Sequence, residues 1–260
     1  MSQLLITHAR IFDGTSADCA EDMNLLVADG LIQQISAQPI AAPNARLIDA
    51  GGRTLMPGLI DCHVHAFASD VSMQKVEALG EAYRTAHAVR MLQHALHCSF
   101  TTVRDIGGGN YSLYRALADR LFASGHAISG RQLGFAPQSQ EKADYAWKSA
   151  ISGLDIMRSA GVKPCYGTDL LGSLYRHECR EFTLRAEVYT PLELLRQATS
   201  IAAEMMMQAG QLGCVAEGAH ADLIVVDGDP LADIGLVAAD GARLSVIVRG
   251  GEVVKDVLAG

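Results

Sequence analysis

The chain has no run of lysine and arginine, no long apolar stretch and no CxxC pair. Each absence excludes something. Without a basic cluster, and with a formal net charge of −8, a phosphate-backbone partner is not expected, so no nucleic acid is assigned. No segment approaches the ~18 consecutive apolar residues of a membrane span, so no membrane is assigned either. The opening MSQLLITHARIFDG lacks the basic region and apolar stretch of a signal peptide. Six scattered cysteines, Cys19, Cys62, Cys98, Cys165, Cys179 and Cys214, read as reduced thiols rather than a disulfide framework or a zinc ribbon. Together these point to a cytoplasmic protein. At 260 residues and 49% hydrophobic, it can bury one sizeable core with a small satellite.

Both ends have the texture of β-structure. LLITHARIFDG, MNLLVADGLIQQIS and ARLIDAGGRTLMPG are short β-rich runs broken by Asp-Gly or Gly-Gly. Asp29-Gly30 suits a type I′ hairpin. The same texture returns in ADLIVVDGDP and in RLSVIVRGGEVV, where Gly250-Gly251 marks another hairpin. Residues 1–55 and 214–260 are therefore expected to build one composite β-sandwich from both termini.

Between them the pattern becomes strand-then-helix, the mark of parallel βα units with functional residues at strand C-termini. PGLIDCHVH, Pro57 to His65, is the first strand. His63 and His65 stand at i and i+2, so both imidazoles share one face of an extended strand. They either bind one metal ion or fall together by chance as solvated side chains. Helical spacing follows from about Val71 to His97, with Val76, Leu79, Tyr83, Ala86 and Val89 on the apolar stripe. FTTVRDIGG is a second strand and YSLYRALADRLFASG a second helix. A further helix from about Lys142 to Ala160 precedes VKPCYGTD, a third strand ending at Asp169. TPLELLRQATSIAAEMMMQAG carries Thr190 as N-cap, Pro191 at N1 and Glu193 at N3.

Four motifs in this order, PGLIDCHVH, FTTVRDIGG, YGTDLLG at Tyr166 to Gly172 and EGAHADLIVVDGDPLADI at Glu217 to Ile234, resemble the amidohydrolase superfamily. The wording is nearest the branch of imidazolonepropionase-like enzymes and Xaa-Pro-type dipeptidases. The resemblance implies a metal-dependent hydrolase on a (β/α)8 barrel flanked by a terminal β-domain. It implies His63, His65 and Asp169 as metal ligands, with Asp169 also the proton shuttle; the alternative reading of Asp169 is a cap for the turn that follows. It does not cover the whole fold. A full barrel takes roughly 200–250 residues, and 56–213 falls short of that. The three strands resemble the first, second and eighth of the family, with an apparent junction near 130–137. The family's strand-four lysine and its later histidines have no counterpart. Lys75, Lys142, Lys148, Lys163 and Lys255 lack the context, and His126 sits in SGHAIS, a helix end.

The expected fold is thus α/β: an incomplete (β/α)8 TIM-type barrel over 56–213 beside the terminal β-sandwich. In a closed barrel the eighth strand neighbours the first, so the surviving order 2-1-8 would still place the three ligands on adjacent strands. The donor set suits Zn2+ or another divalent transition metal, one ion rather than two. The expected activity is cleavage of an amide or peptide C–N bond in a small molecule, an N-acyl amino acid or dipeptide, by a metal-activated water. The rival reading is a catalytically inactive truncated remnant acting only as a binding or assembly partner. His177 and Arg180 in SLYRHECREF could recognise a substrate carboxylate, or simply belong to a polar loop. His87, His94 and His97 read as a solvated helix face, Met205–Met207 as core filling, and Asp105 as a loop anchor. Bare strand edges predict a homo-oligomer.

Overall fold

A computed structural model describes residues 3–107 and 151–259. The helix expected over 111–125, the junction near 130–137, His126, Lys142 and Lys148 lie outside the described residues.

The first part of the chain forms β1 (Gln3–Ile11), β2 (Ala20–Ala28), β3 (Leu31–Ser36), β4 (Arg46–Asp49) and β5 (Thr54–Pro57). The last part forms β8 (Leu223–Val226), β9 (Leu244–Arg249) and β10 (Glu252–Asp256). All eight belong to one hydrogen-bonded sheet in the order β10-β9-β8-β5-β1-β2-β3, with β4 also on β1. The two ends therefore meet along β5–β8, where Met56 stands opposite Ile224. Both strands are buried throughout, as their unbroken apolar lettering requires. β1 alternates between buried and open positions until His8, where φ is 49° and the register to β2 shifts. This bulge moves the buried set from Leu4 and Ile6 to Ala9 and Ile11. Both expected hairpins are present: Asp29-Gly30 has φ values of 54° and 79°, and Gly250-Gly251 has 55° and 78°, the left-handed pair of a type I′ turn.

Only Gly58 separates β5 from β6 (Leu59–Val64), and its N–H donates to the Asp222 carbonyl at 2.8 Å. The terminal sheet thus delivers the chain directly into the strand that bears the histidine pair. β6 pairs in parallel with β7 (Phe100–Asp105) as a separate two-stranded sheet. Their connection holds two helices rather than the single one expected: α1 (Met73–Ala78) and α2 (Glu81–His97). Gly80 is extended and caps α2. Because the helix restarts there, the apolar stripe drawn across the break loses phase. Val76, Ala88, Val89, Met91 and Ala95 are buried, whereas Tyr83 and Ala86 are exposed.

Residues 151–159 are helical, here α3. The strand expected at VKPCYGTD is not a regular strand. It is an extended segment laid along the other side of β6, with Cys62 N–H donating to the Tyr166 carbonyl and Asp169 N–H to the His63 carbonyl, each at 2.9 Å. β7, β6 and this segment lie side by side. After it come a 3-10 turn (Gly172–His177), α4 (Arg180–Arg185), α5 (Pro191–Gln197) and α6 (Ser200–Met205). A core of Phe12, Met56, Leu59, Phe100, Tyr166, Phe182 and Ile224 joins the terminal sheet to these helices. Tyr166 stacks on Phe182 at 4.4 Å between ring centroids. Of the three methionines read as core filling, only Met206 packs inside; Met205 is 39% exposed and Met207 89%.

The start of α5 follows its sequence signature. Thr190 Oγ1 accepts from Glu193 N–H at 3.3 Å, and Glu193 Oε2 accepts from Thr190 N–H at 2.7 Å. Thr190→Ala should cost about 1 kcal/mol of stability, read from the midpoint of urea unfolding; no change in midpoint would show that the cap contributes nothing.

Candidate metal centre

The site starts with a buried acid. Asp61, His63 and His65 occupy alternate positions at the end of β6, so their side chains share one face. Asp61 is fully buried. Its Oδ1 accepts from His63 N–H at 2.9 Å and Thr168 N–H at 3.2 Å, and its Oδ2 accepts from the Thr168 hydroxyl at 2.6 Å. Burial pushes its pKa up, and the hydrogen bonds from Thr168 and His63 oppose that. One carboxylate therefore ties the histidine-bearing strand to the segment that carries Asp169. Gly167 permits the approach, since a Cβ there would stand 3.0 Å from His63 Cβ.

Asp169 completes the group. Its φ is 53°, a left-handed conformation uncommon for a residue with a side chain and frequent at functional sites. Its Oδ1 lies 3.0 Å from His65 Nε2 and 3.3 Å from His63 Nε2. The imidazoles meet edge-on, with centroids 5.3 Å apart. Ligand atoms of all three residues lie within 4.8 Å of one another. The three side chains are 40%, 24% and 66% exposed for His63, His65 and Asp169, so solvent and small molecules reach them. Two imidazole nitrogens and a carboxylate oxygen aimed at a common point fit a divalent ion that keeps a position open.

Other expected residues stand apart from this group. His177 ends the 3-10 turn and Arg180 opens α4, and both are exposed. Neither belongs to the clustered donors. Asp105 behaves as an anchor through Oδ1, which accepts from Gly107 N–H at 3.0 Å. The histidines of α2 do not form a solvated face. His87 and His94 each meet the Tyr175 ring edge-on, at 5.7 and 5.3 Å, and burial lowers the pKa of both; only His97 is exposed. The turn that follows Asp169 packs Tyr175 against them, which helical spacing alone could not show. Asp61 is the residue the sequence reading passed over, although its place two residues before His63 was a signal. A cavity of about 650 Å³ lies elsewhere, between α2, β7 and the terminal sheet, with Leu92, Leu96, Phe100 and Val103 among its walls. His63, His65 and Asp169 do not line it.

Residues 148–253 match the model of the amidohydrolase family. Among curated relatives, the chain is 35% identical over 71 residues to L-hydantoinase of Paenarthrobacter aurescens, covering 27% of this chain and 15% of that protein. It is 34% identical over 113 residues to imidazolonepropionase of Pseudomonas putida, covering 41% and 24%. These matched stretches span less than a quarter of the relatives' own length. Among solved structures, a prolidase complexed with N-methylphosphonate-L-proline superposes with a TM-score of 0.85 at 23% identity, covering 98% of this chain and all of that one. A structure described as an amidohydrolase gives 0.85 at 22%, covering 98% and 99%. At such identities the likeness concerns the mixed α/β fold. The match to the amidohydrolase family is confined to residues 148–253, less than half of the chain.

Proposed function

We propose that the chain is a metal-dependent amidohydrolase that cleaves an amide or peptide C–N bond in a small molecule. The observation that carries this reading is the convergence of His63, His65 and Asp169 on one point beside a buried, hydrogen-bonded Asp61. In this reading residues 56–213 form an incomplete (β/α)8-type barrel, supported by the parallel β6–β7 pair and the extended segment bonded to the far side of β6. Residues 1–55 and 214–260 form its companion domain. His63 and His65 would hold one divalent ion, zinc being the ion suited to these donors, with Asp169 as the third ligand. When bound, the ion would polarise the substrate carbonyl and acidify water.

The chain's own residues do the remainder. Asp61 fixes the backbone at His63 and Thr168, so the imidazoles and Asp169 need no rearrangement to act together. Asp169 takes the proton from the attacking water and returns it to the leaving nitrogen, which departs as an amine. Its exposure leaves the reacting groups open to a small substrate such as a dipeptide or N-acyl amino acid. The similarity to a prolidase structure favours that class, while L-hydantoinase keeps cyclic amides in view. His177 and Arg180, exposed on the turn and helix that follow Asp169, are candidates for a substrate carboxylate. Among the described residues β7 is paired only with β6, and its open edge suits association with a second copy of the chain. No described helix is long and apolar enough to cross a membrane.

Elemental analysis should find one zinc fewer per chain in the His63→Ala, His65→Ala variant than in the unmutated chain, and that zinc should be lost on chelation. Asp169→Asn should lower turnover on a panel of dipeptides, N-acyl amino acids and hydantoins by roughly 10²–10⁴-fold. A chain without metal and without turnover on any member would instead be an inactive remnant. Thr168→Val leaves a buried carboxylate short of a donor. It should cost about 1–3 kcal/mol in urea unfolding and weaken metal affinity by about 10–100-fold; unchanged affinity would separate Asp61 from the site. Light scattering should give a mass above that of one chain, and a compact stable monomer would remove the edge-pairing argument.

A further inference from the structure

A second group of donors lies away from the histidine pair. Cys98 caps the C-terminus of α2, and Cys179 immediately precedes α4; both are fully buried. Asp240, exposed, sits in the turn before β9. Ligand atoms of these three residues lie within 4.8 Å of one another. His94 is one helical turn before Cys98, and its Nε2 is 3.5 Å from Cys98 Sγ. We propose that Cys98, Cys179 and Asp240 form a site for a soft divalent ion of the zinc type.

Four features set this group apart from two thiols that merely fill a core. Thiolate and carboxylate ligands of one tetrahedral ion stand roughly 3.5–3.8 Å apart, inside the span observed. The donor set, two thiol sulfurs and one carboxylate, is that of zinc rather than of calcium or magnesium. Beside Cys179 lies Glu178, 1% exposed, with neither carboxylate oxygen hydrogen-bonded. A buried acid without a hydrogen-bond partner calls for a group the chain itself does not supply. Finally, Cys98 stands at the C-terminus of α2, and the negative end of a helix favours a cation.

The loop that brings Asp240 in is held by backbone contacts. Gly241 packs against the His97 carbonyl with no room for a Cβ, and Lys255 Nζ donates to the Gly241 carbonyl at 2.9 Å. Asp240 itself has φ 48°. Binding would displace thiol protons to solvent as metal–sulfur bonds form, with no change of oxidation state. The ion would join α2, the start of α4 and the turn before β9, three pieces far apart in sequence.

Cobalt reads this site separately from the histidine pair, because only thiolate ligands give a sulfur-to-cobalt charge-transfer band in the near ultraviolet. The full chain, stripped with chelator and kept reduced, should develop that band with one equivalent of Co2+. The band should persist in His63→Ala, His65→Ala and vanish in Cys98→Ser, Cys179→Ser; Asp240→Ala should weaken cobalt binding at least tenfold. Zinc should raise the melting temperature of the His63→Ala, His65→Ala variant, and adding Cys98→Ser, Cys179→Ser to that variant should abolish the rise. Absence of the band from the unmutated chain at saturating cobalt overturns the proposal, whether or not the cysteine variant folds. So does a band that survives removal of both cysteines. Neither result bears on hydrolysis at His63, His65 and Asp169.

Discussion

The buried carboxylate of Asp61 is the constraint on which the candidate site depends. A fully desolvated acid is tolerated only when its oxygens are satisfied, and here the donors come from two pieces of chain far apart in sequence. Satisfying Asp61 therefore fixes both the turn of β6 that aims the imidazoles and the backbone that aims Asp169. The uncommon conformation of Asp169 follows from being held at both ends: its own N–H donates to the His63 carbonyl while its neighbour Thr168 is bound to Asp61. The cost of that conformation, on the order of 1–3 kcal/mol, is offset locally by hydrogen bonds that water cannot replace.

Support for this arrangement comes from the terminal sheet. β5 runs into β6 through a single residue, and β5 is held between β1 and β8. The strand that carries the histidines is thus continuous with the most buried part of the sheet. On its other flank, the aromatic stack of Tyr166, Phe182 and Phe100 packs beneath the Asp169 segment, and the Tyr166 hydroxyl donates to the Glu178 carbonyl at 2.6 Å. The three donors stand on an apolar floor while their tips reach solvent, as the proposed hydrolysis needs.

Much of this was legible in the residues. The i, i+2 spacing of His63 and His65, the Asp-Gly and Gly-Gly hairpins and the Thr190 capping box are local signals, and local geometry settled them. What was not legible depended on tertiary contact. The stripe from Val76 to Val89 failed because Gly80 restarts the helix, which spacing cannot register. The segment before Asp169 was read as a strand because its apolar lettering and terminal Asp suit one; in the fold, irregular hydrogen bonds to β6 replace a regular ladder. The α2 histidines were read as solvated because nothing local announced that Tyr175 would return to cover them. Asp61 was passed over because its partner, Thr168, is separated from it by most of the intervening fold.

The pairing of β5 with β8 carries a kinetic consequence. Met56 faces Ile224, so this seam cannot close until nearly the whole chain has been synthesised and collapsed. Contacts of such long range are slow to form. The early hairpin of β2 and β3 can assemble locally, but the strand bearing the histidines must wait, unsupported, for a partner that arrives late. Nascent chains should accordingly pass through a phase in which apolar β5 and β6 are open to chaperones or to one another, and the proposed metal site would be complete only after it.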